Sequence, residues 1–373
     1  MKIVIDARLY GLENAGLGRY VMKLVQELVK LDKKNEYAVL LRKKYFKSLK
    51  FPKNWRKVLA DVSHYSFAEQ IKLPIILSKE KADLVHFPHL NVPIAFKGKF
   101  VVTIHDIVMN KFKGSETTNL SLPLYFAKRI GYKRVFKKAV TDSAKIIVPS
   151  RFTKRELMDY YKIEDDKIEV TYEGVDEIKS VKQNPAKVAA SYSLTLPYFL
   201  YVGNAYPHKN LKRAIKAVSE YNLKHSQKIM FAISSSRSVF TQRLEKIVEE
   251  SGSEEYVRLL GFVPDEDLLA LHKRAEGYIF PSLYEGFGLP GLEAMSAGCL
   301  VLASETPVFK EVYKDKVVYF NPFDSNSIEA AIKDVMTMDK KKKGKMIKDG
   351  KSFVKRYSWS KMAKETLEIY NSV

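Results

Sequence analysis

Short apolar runs alternate with amphipathic stretches along the whole chain. In the first half they read KIVIDA, YAVLL, DLVHF, VVTIHD and KIIVPS, and in the second YFLYVG, KIMFAI, VRLLGF, GYIFPS, CLVLAS and VVYFN. Near-continuous apolar runs of this length fit strands buried on both faces, and stretches between them, such as residues 19–30, 209–221 and 265–275, repeat apolar positions at helical spacing. The pattern predicts an α/β chain of two Rossmann-like doubly wound domains, each a mostly parallel sheet covered by helices and facing the other across a central cleft. The polar stretch YEGVDEIKSVKQNPAK, residues 172–187, has neither period and places the boundary near Tyr172–Pro197. The expected domains are residues 1–175 and 176–355, with 356–373 forming a helix that packs back toward the first domain.

Length supports two domains, since 373 residues exceed what one ordinary core accommodates. The N-terminus runs straight into KIVIDA, and no apolar run approaches the ~18 residues of a membrane span, so a cytoplasmic protein is expected. The single cysteine, Cys299, lies in the strand-like GCLVLAS and reads as a buried, inert thiol. Net charge is +21, and residues 1–175 carry about +15 of it, so an anionic partner is expected: a phosphorylated ligand, nucleic acid or an anionic membrane.

Open α/β sheets bind ligands beyond the carboxyl ends of their strands, so residues there carry most weight. After the first strand, YGLENAGLGRY places Gly16 and Gly18 just before a helix expected near Arg19, where backbone N–H groups can receive phosphate oxygens. A plain tight turn explains the same two glycines equally well. VVTIHD ends in His105 and Asp106, which read either as structural polar groups or as site residues. In YVGNAYPHKNLKRAI, His208 and Lys209 stand where a helix begins. A lysine in a first turn opposes the helix dipole, so Lys209 is expected to face a polyanion such as a diphosphate.

The stretch YEGFGLPGLEAMSAG, residues 284–298, sets Glu285 and Glu293 around a Gly- and Pro-rich turn. Gly286, Gly288 and Pro290 stop a continuous helix, leaving Glu285 on a loop and Glu293 in a short helix at 290–297 closed by Gly298. The two carboxylates then flank the backbone of Gly286, Phe287, Gly288 and Leu289, a cradle suited to sugar hydroxyls and phosphate oxygens. A glycosidase pair needs carboxyls on opposite sides of its substrate, which one loop and its helix supply poorly. There is no His, Cys or Asp cluster with metal-ligand spacing, and no metal or other cofactor is expected.

These blocks, with DLVHFPH, KIIVPSRFTKREL, LLGFVPDEDLLALHKRA and the closing YSWSKMA, resemble the retaining glycosyltransferases of family 4, the group 1 glycosyltransferases with the GT-B fold. The resemblance covers nearly the whole chain. It implies that the first domain binds an acceptor and the second a nucleoside-diphosphate sugar. Glu285 and the 286–289 amides would hold the donor sugar, Glu293 the ribose, Lys209 the diphosphate, and the backbone at Val263 the base. His105 would lie near the donor sugar, and Gly16 and Gly18 would face diphosphate and acceptor. Many members carry arginine where this chain has Asn204 and His208, which leaves Lys209 as the main cation of its loop, with Arg19 or a protonated His208 as possible helpers.

The implied reaction is retaining transfer of a hexose, with mannose favoured, to an acceptor hydroxyl in polysaccharide or glycolipid synthesis. A GT-B-type epimerase or hydrolase is the alternative. A basic nucleic-acid-binding module explains the charge but not the strand-end motifs, so nucleic acid is not expected as a partner. In residues 124–140, LYFAKRIGYKRVFKKAV, the helical projection places Leu124, Val135, Phe136 and Ala139 toward the core. Phe126 and Ile130 fall among Lys128, Arg129, Lys133, Arg134, Lys137 and Lys138, a pattern that fits either a solvated basic helix or one lying on an anionic membrane. Many relatives build glycans on lipid-linked acceptors, which favours peripheral attachment to the inner face of the cytoplasmic membrane.

Overall fold

The computed structural model describes residues 1–114, 118, 120–176 and 183–373, so residues 177–182 of the expected boundary lie outside the described residues. Two compact units form. The first contains Met1–Ile107, a run ending at Gly174, and Tyr357–Val373; the second contains a short stretch starting at Val108 and the run Val175–Arg356.

The first unit holds seven strands: β1 (Lys2–Asp6), β2 (Glu36–Leu41), β3 (Trp55–Leu59), β4 (Leu84–Phe87), β5 (Phe100–Thr103), β6 (Lys145–Val148) and β7 (Ile168–Val170). They pair in the order β3-β2-β1-β4-β5-β6-β7, all parallel. The second unit holds β8 (Tyr198–Val202), β9 (Met230–Ser234), β10 (Val257–Gly261), β11 (Gly277–Phe280), β12 (Val301–Ser304) and β13 (Val318–Phe320). Their order is β10-β9-β8-β11-β12-β13, again parallel. Both sheets are covered by helices, as the apolar runs predict: Ile3, Val4 and Ile5 of β1 are wholly buried, as are Phe199 and Leu200 of β8. Each such side chain contributes about 1.5–3 kcal/mol.

The two strands absent from the sequence reading, β3 and β7, are the two edges of the first sheet. Edge strands carry polar residues on their exposed side, so WRKVL and IEV lack the apolar continuity that marks the interior strands.

The final helix, Trp359–Asn371, belongs to the first unit and packs against helix Ala15–Leu31. It is anchored by a buried chain of polar side chains. The Tyr370 hydroxyl lies 2.5 Å from His86 Nδ1, His86 Nε2 lies 2.8 Å from the Thr103 hydroxyl, and that hydroxyl lies 3.2 Å from the Tyr20 hydroxyl. Burial, assisted by the charge of His105, pushes His86 down to about 3, so it is neutral at physiological pH. Cys299 is buried, and burial pushes its thiol up to about 12, which keeps it protonated and unreactive.

At the carboxyl end of β1 a fully buried arginine holds two carboxylates. Arg8 donates through Nε and Nη2 to Asp6, at 2.7 Å each, and through Nη2 to Glu69 at 2.7 Å, while its Nη1 donates to the Val62 carbonyl at 3.2 Å. Burial raises both acids, but the bidentate bond from Arg8 holds Asp6 below its ordinary value, whereas Glu69, with a single bond from Arg8, stays above its own.

Candidate active site

In the second unit the predicted residues gather at the carboxyl edge of the sheet. After β8 a 3-10 turn, Pro207–Lys209, leads into helix Leu211–Lys224 through Asn210, whose φ is 59°. Lys209 therefore precedes the α-helix instead of standing in its first turn, which corrects the expected start at 209. Asn210 sets this geometry because asparagine tolerates the left-handed conformation and its side chain is fully used. Its Nδ2 donates to the Pro281 carbonyl at 3.0 Å and the Pro322 carbonyl at 2.8 Å, and its Oδ1 accepts from Arg213 Nη1 at 2.7 Å. The Leu283 N–H donates to the His208 carbonyl at 2.8 Å. These bonds pin the 207–210 turn to the loop following β11.

That loop carries Glu285. Its Oε1 accepts from Lys209 Nζ at 2.6 Å and from the Ser282 hydroxyl at 2.7 Å. Both partners of the ion pair are largely shielded, with side chains 17% and 15% exposed, so screening weakens it less than a surface pair. From sequence Lys209 is expected to face a polyanion; in the fold it first meets a carboxylate. His208 is pushed down to about 4 by burial and then by the charge of Lys209, so at neutral pH it is not a second cation. Its ring stacks on Tyr206, with centroids 5.8 Å apart and planes at 12°.

Helix Leu289–Ala297 starts one residue before the expected 290, with Pro290 in its first turn and Gly298 closing it. Glu293 is half-buried on this helix, one turn in from the Gly-rich loop. Phe287 and Leu289 send their side chains into the core, so toward a ligand they offer backbone only. Gly288 has a φ of 101°, and a Cβ there would lie 2.4 Å from the Tyr313 hydroxyl oxygen, which donates to the Gly288 carbonyl. This glycine is thus required by backbone conformation and by the approach of Tyr313, apart from any ligand. Val263 is buried between β10 and helix Asp265–Arg274. Among the described residues no group of three or more His, Cys, Asp or Glu is placed to hold a metal ion.

The first unit holds the other predicted residues. Helix Ala15–Leu31 begins four residues before Arg19, so Gly16 and Gly18 lie within it and not ahead of it. Gly18 is a packing requirement, since a Cβ there would lie 1.8 Å from the Gly11 carbonyl oxygen. Gly16 meets nothing within 4 Å and leaves the helix start open.

His105 follows β5, and both its ring nitrogens face acceptors: Nδ1 is 3.1 Å from Glu173 Oε1 and Nε2 is 3.0 Å from the Pro88 carbonyl oxygen. Only the imidazolium can donate to both. Burial lowers its pKa, but the hydrogen bond and charge of Glu173 outweigh burial, and His105 lies above its ordinary value of 6.5. The Tyr20 ring stands edge-on, 4.7 Å away at 85°. Because the folded protein holds this proton more tightly than the unfolded chain, the associated stabilisation is present below about pH 6.5 and is lost as pH rises through the folded value. Glu173→Gln is expected to bring the His105 pKa from above 6.5 to below it, since burial is then left without its counterweight, and NMR of the ring protons reads the change. An unchanged titration would exclude Glu173 as the group that keeps His105 charged.

Sequence pattern misses Glu173, Ser282, Asn210 and Tyr313, which orient or buttress the predicted residues. Ser282, three residues before Glu285 at a strand end, is the one with a local signal.

Residues 15–178 match the family described as Glycosyltransferase Family 4, and residues 187–353 match Glycosyl transferases group 1. The chain is 27% identical over 391 residues to O-antigen chain mannosyltransferase B of Escherichia coli, covering 99% of both chains. It is 26% identical to O-antigen chain mannosyltransferase RfbU of Salmonella typhimurium, over 73% of this chain and 70% of that one. Among solved structures, sucrose-phosphate synthase of Thermosynechococcus elongatus superposes with a TM-score of 0.75 at 18% identity, covering 100% of this chain and 98% of that one. Anabaena HepE, solved with UDP and glucose, superposes with a TM-score of 0.75 at 15% identity over 100% of both chains. Two parallel-sheet α/β domains and these matches lead to one assignment: the chain belongs to the group 1 glycosyltransferases of family 4 and has the GT-B fold.

Proposed function

We propose that this glycosyltransferase moves mannose, with retention of configuration, from a nucleoside-diphosphate sugar to a hydroxyl of a lipid-linked glycan during surface-polysaccharide synthesis. The observation that carries the reading is the shielded Lys209–Glu285–Ser282 cluster at the carboxyl edge of the second sheet. A cation and a carboxylate in contact supply what a sugar diphosphate needs, the lysine for the departing phosphate and the carboxylate for sugar hydroxyls. Glu293 takes the ribose, the 286–289 backbone the sugar, and the backbone at Val263 the base. Gly16 leaves the helix start of the first unit open toward an acceptor while Gly18 keeps that start packed on Gly11, and His208 contributes as a neutral ring. His105 contributes a positive charge on the first unit.

In the reaction the bond from the anomeric carbon to the diphosphate oxygen breaks. The acceptor hydroxyl attacks the same face, and its proton passes to a phosphate oxygen of the leaving group. Lys209 stabilises the charge that develops there, and no metal is assigned a role. The mannosyltransferase relatives support the sugar, and their O-antigen names support the acceptor class. The basic helix Leu122–Asp142 supports peripheral membrane attachment at the cytoplasmic face: Phe126 and Ile130 are exposed among its lysines and arginines. Leu124 is 47% exposed and joins them, contrary to its expected place in the core, because it lies in the first turn, ahead of the packed segment at Phe136 and Ala139.

The test is a thermal-shift screen of sugar nucleotides, since a ligand that binds only the folded state raises the midpoint. GDP-mannose is expected to protect most, with acceptor-dependent turnover giving an α-linked product. Donor breakdown or epimerisation without acceptor would replace this reading with the hydrolase or epimerase one.

A further inference from the structure

The helix Phe67–Glu80 wears its amphipathicity inside out. Its buried side carries Glu69 and Glu80 beside Leu73 and Leu77, while Phe67, Ile71 and Ile75 are 83%, 52% and 52% exposed. The acids are tolerated inside because each is paired, Glu69 with Arg8 and Glu80 with Arg56 and Lys2. The apolar stripe has no such compensation. Spaced four residues apart, its members line one side of the helix. Ile94, 46% exposed, sits beside them because its N–H donates to Gln70 at 2.9 Å.

The topology puts this helix and the basic helix on one face of the first sheet. With right-handed crossovers, the connection from β3 back across to β4 covers the face opposite to the β1-to-β2 connection, and the β5-to-β6 connection covers that same face. Both helices follow strand ends, so their N-terminal turns, with Phe67 on one and Leu124 and Phe126 on the other, lie toward the same edge of the sheet. The charged residues exposed on the first helix are Lys72 and Lys79, and on residues 122–141 they are Lys128, Lys133, Arg134 and Lys137. Both acids of the first helix are buried, and the one acid of helix Leu122–Asp142, Asp142 at its last residue, is paired with Lys138 at the end of the helix away from Phe126. Apolar side chains among lysines suit an anionic lipid surface, and a second copy of a chain with net charge +21 would bring like charge onto like.

We propose that the helix Phe67–Glu80 is the inserting element of a membrane-docking face, with Phe67, Ile71 and Ile75 entering the boundary between headgroups and acyl chains of an anionic bilayer. The lysines and arginines of both helices bind the headgroups. This rests on the peripheral attachment proposed above and adds an apolar anchor that salt does not screen.

The experiment is co-sedimentation with phosphatidylcholine vesicles, with and without phosphatidylglycerol, at low and high salt. Wild type is compared with a Phe67→Ser, Ile71→Ser, Ile75→Ser variant checked for an unchanged thermal midpoint. A Phe67→Trp variant reports insertion independently, because Trp55 and Trp359 are each 5% exposed and give a quiet background. Wild type is expected to bind vesicles containing phosphatidylglycerol and to keep part of that binding at high salt. The triple variant should lose partitioning at least about tenfold. The indole emission of the Phe67→Trp variant should shift to the blue and be quenched by brominated acyl chains. If wild type and triple variant bind alike and the emission does not move, this inference fails while attachment through the basic helix stands. If wild type does not bind at all, both fall. A wild-type dimer that the triple variant abolishes, with the emission shift present without lipid, would assign the stripe to a second copy and overturn the proposal.

Discussion

Lys209→Ala is expected to lower turnover by about 10²- to 10³-fold, the cost of removing one preorganised group aimed at a developing negative charge. Its effect on folding should be smaller, about 1–3 kcal/mol, because the variant leaves Glu285 with one partner, the Ser282 hydroxyl, and access to solvent. Glu285→Gln separates the two roles. It preserves the Ser282 contact but removes the negative charge against Lys209, so nucleoside diphosphate should bind at least as tightly as in wild type while sugar transfer falls. Isothermal titration with the nucleoside diphosphate and initial rates with the sugar nucleotide read the two effects. Wild-type turnover in Lys209→Ala would remove this cluster from the reaction. A fall in the ligand-free thermal midpoint as large as that of a core substitution would assign the pair to the fold instead.

Arg8→Ala should be the most damaging single change to stability in the first unit, at about 3–5 kcal/mol. The guanidinium is fully buried, and without it Asp6 and Glu69 face each other as uncompensated charges. Both carboxylates would then have folded pKa values raised above the unfolded ones. The deficit is therefore largest at neutral pH and shrinks as pH falls through the raised values toward the ordinary 3.8 and 4.5. Urea unfolding followed against pH measures this. Adding Asp6→Asn and Glu69→Gln should recover much of the loss at pH 7. A neutral-pH midpoint equal to wild type in Arg8→Ala would show that the cluster contributes little and that the buried acids relax to solvent.

Local pattern carries an architecture well when burial is symmetrical. The interior strands of both sheets are apolar on both faces and legible for that reason, and the edges of the second sheet, β10 and β13, are legible because their sequences VRLLG and VYF stay mostly apolar although only half-buried. The turn at 286–290 is likewise written in its glycines and proline, which forbid a continuous helix whatever the surroundings. Pattern fails where one side of an element meets solvent or where polarity is inverted. β3 and β7 are edges with mixed residues, and the helix Phe67–Glu80 hides its acids and exposes its apolar side, so a periodicity reading has no means of assigning its faces.

The candidate site divides in the same way. By itself the sequence determined which residues stand at strand ends and which types they are: a histidine after β5, a lysine after β8, two glutamates around a glycine turn after β11. Only the tertiary structure decided who meets whom. The Lys209 and Glu285 charges come together across 76 residues, and His105 meets Glu173 across 68. Those contacts set the working chemistry, a lysine already paired before any ligand arrives, a histidine kept charged and a neighbouring His208 kept neutral. The physical reason is that a residue's type is local, whereas its protonation and partner depend on burial and on charges delivered by distant segments, which the spacing along one chain does not record.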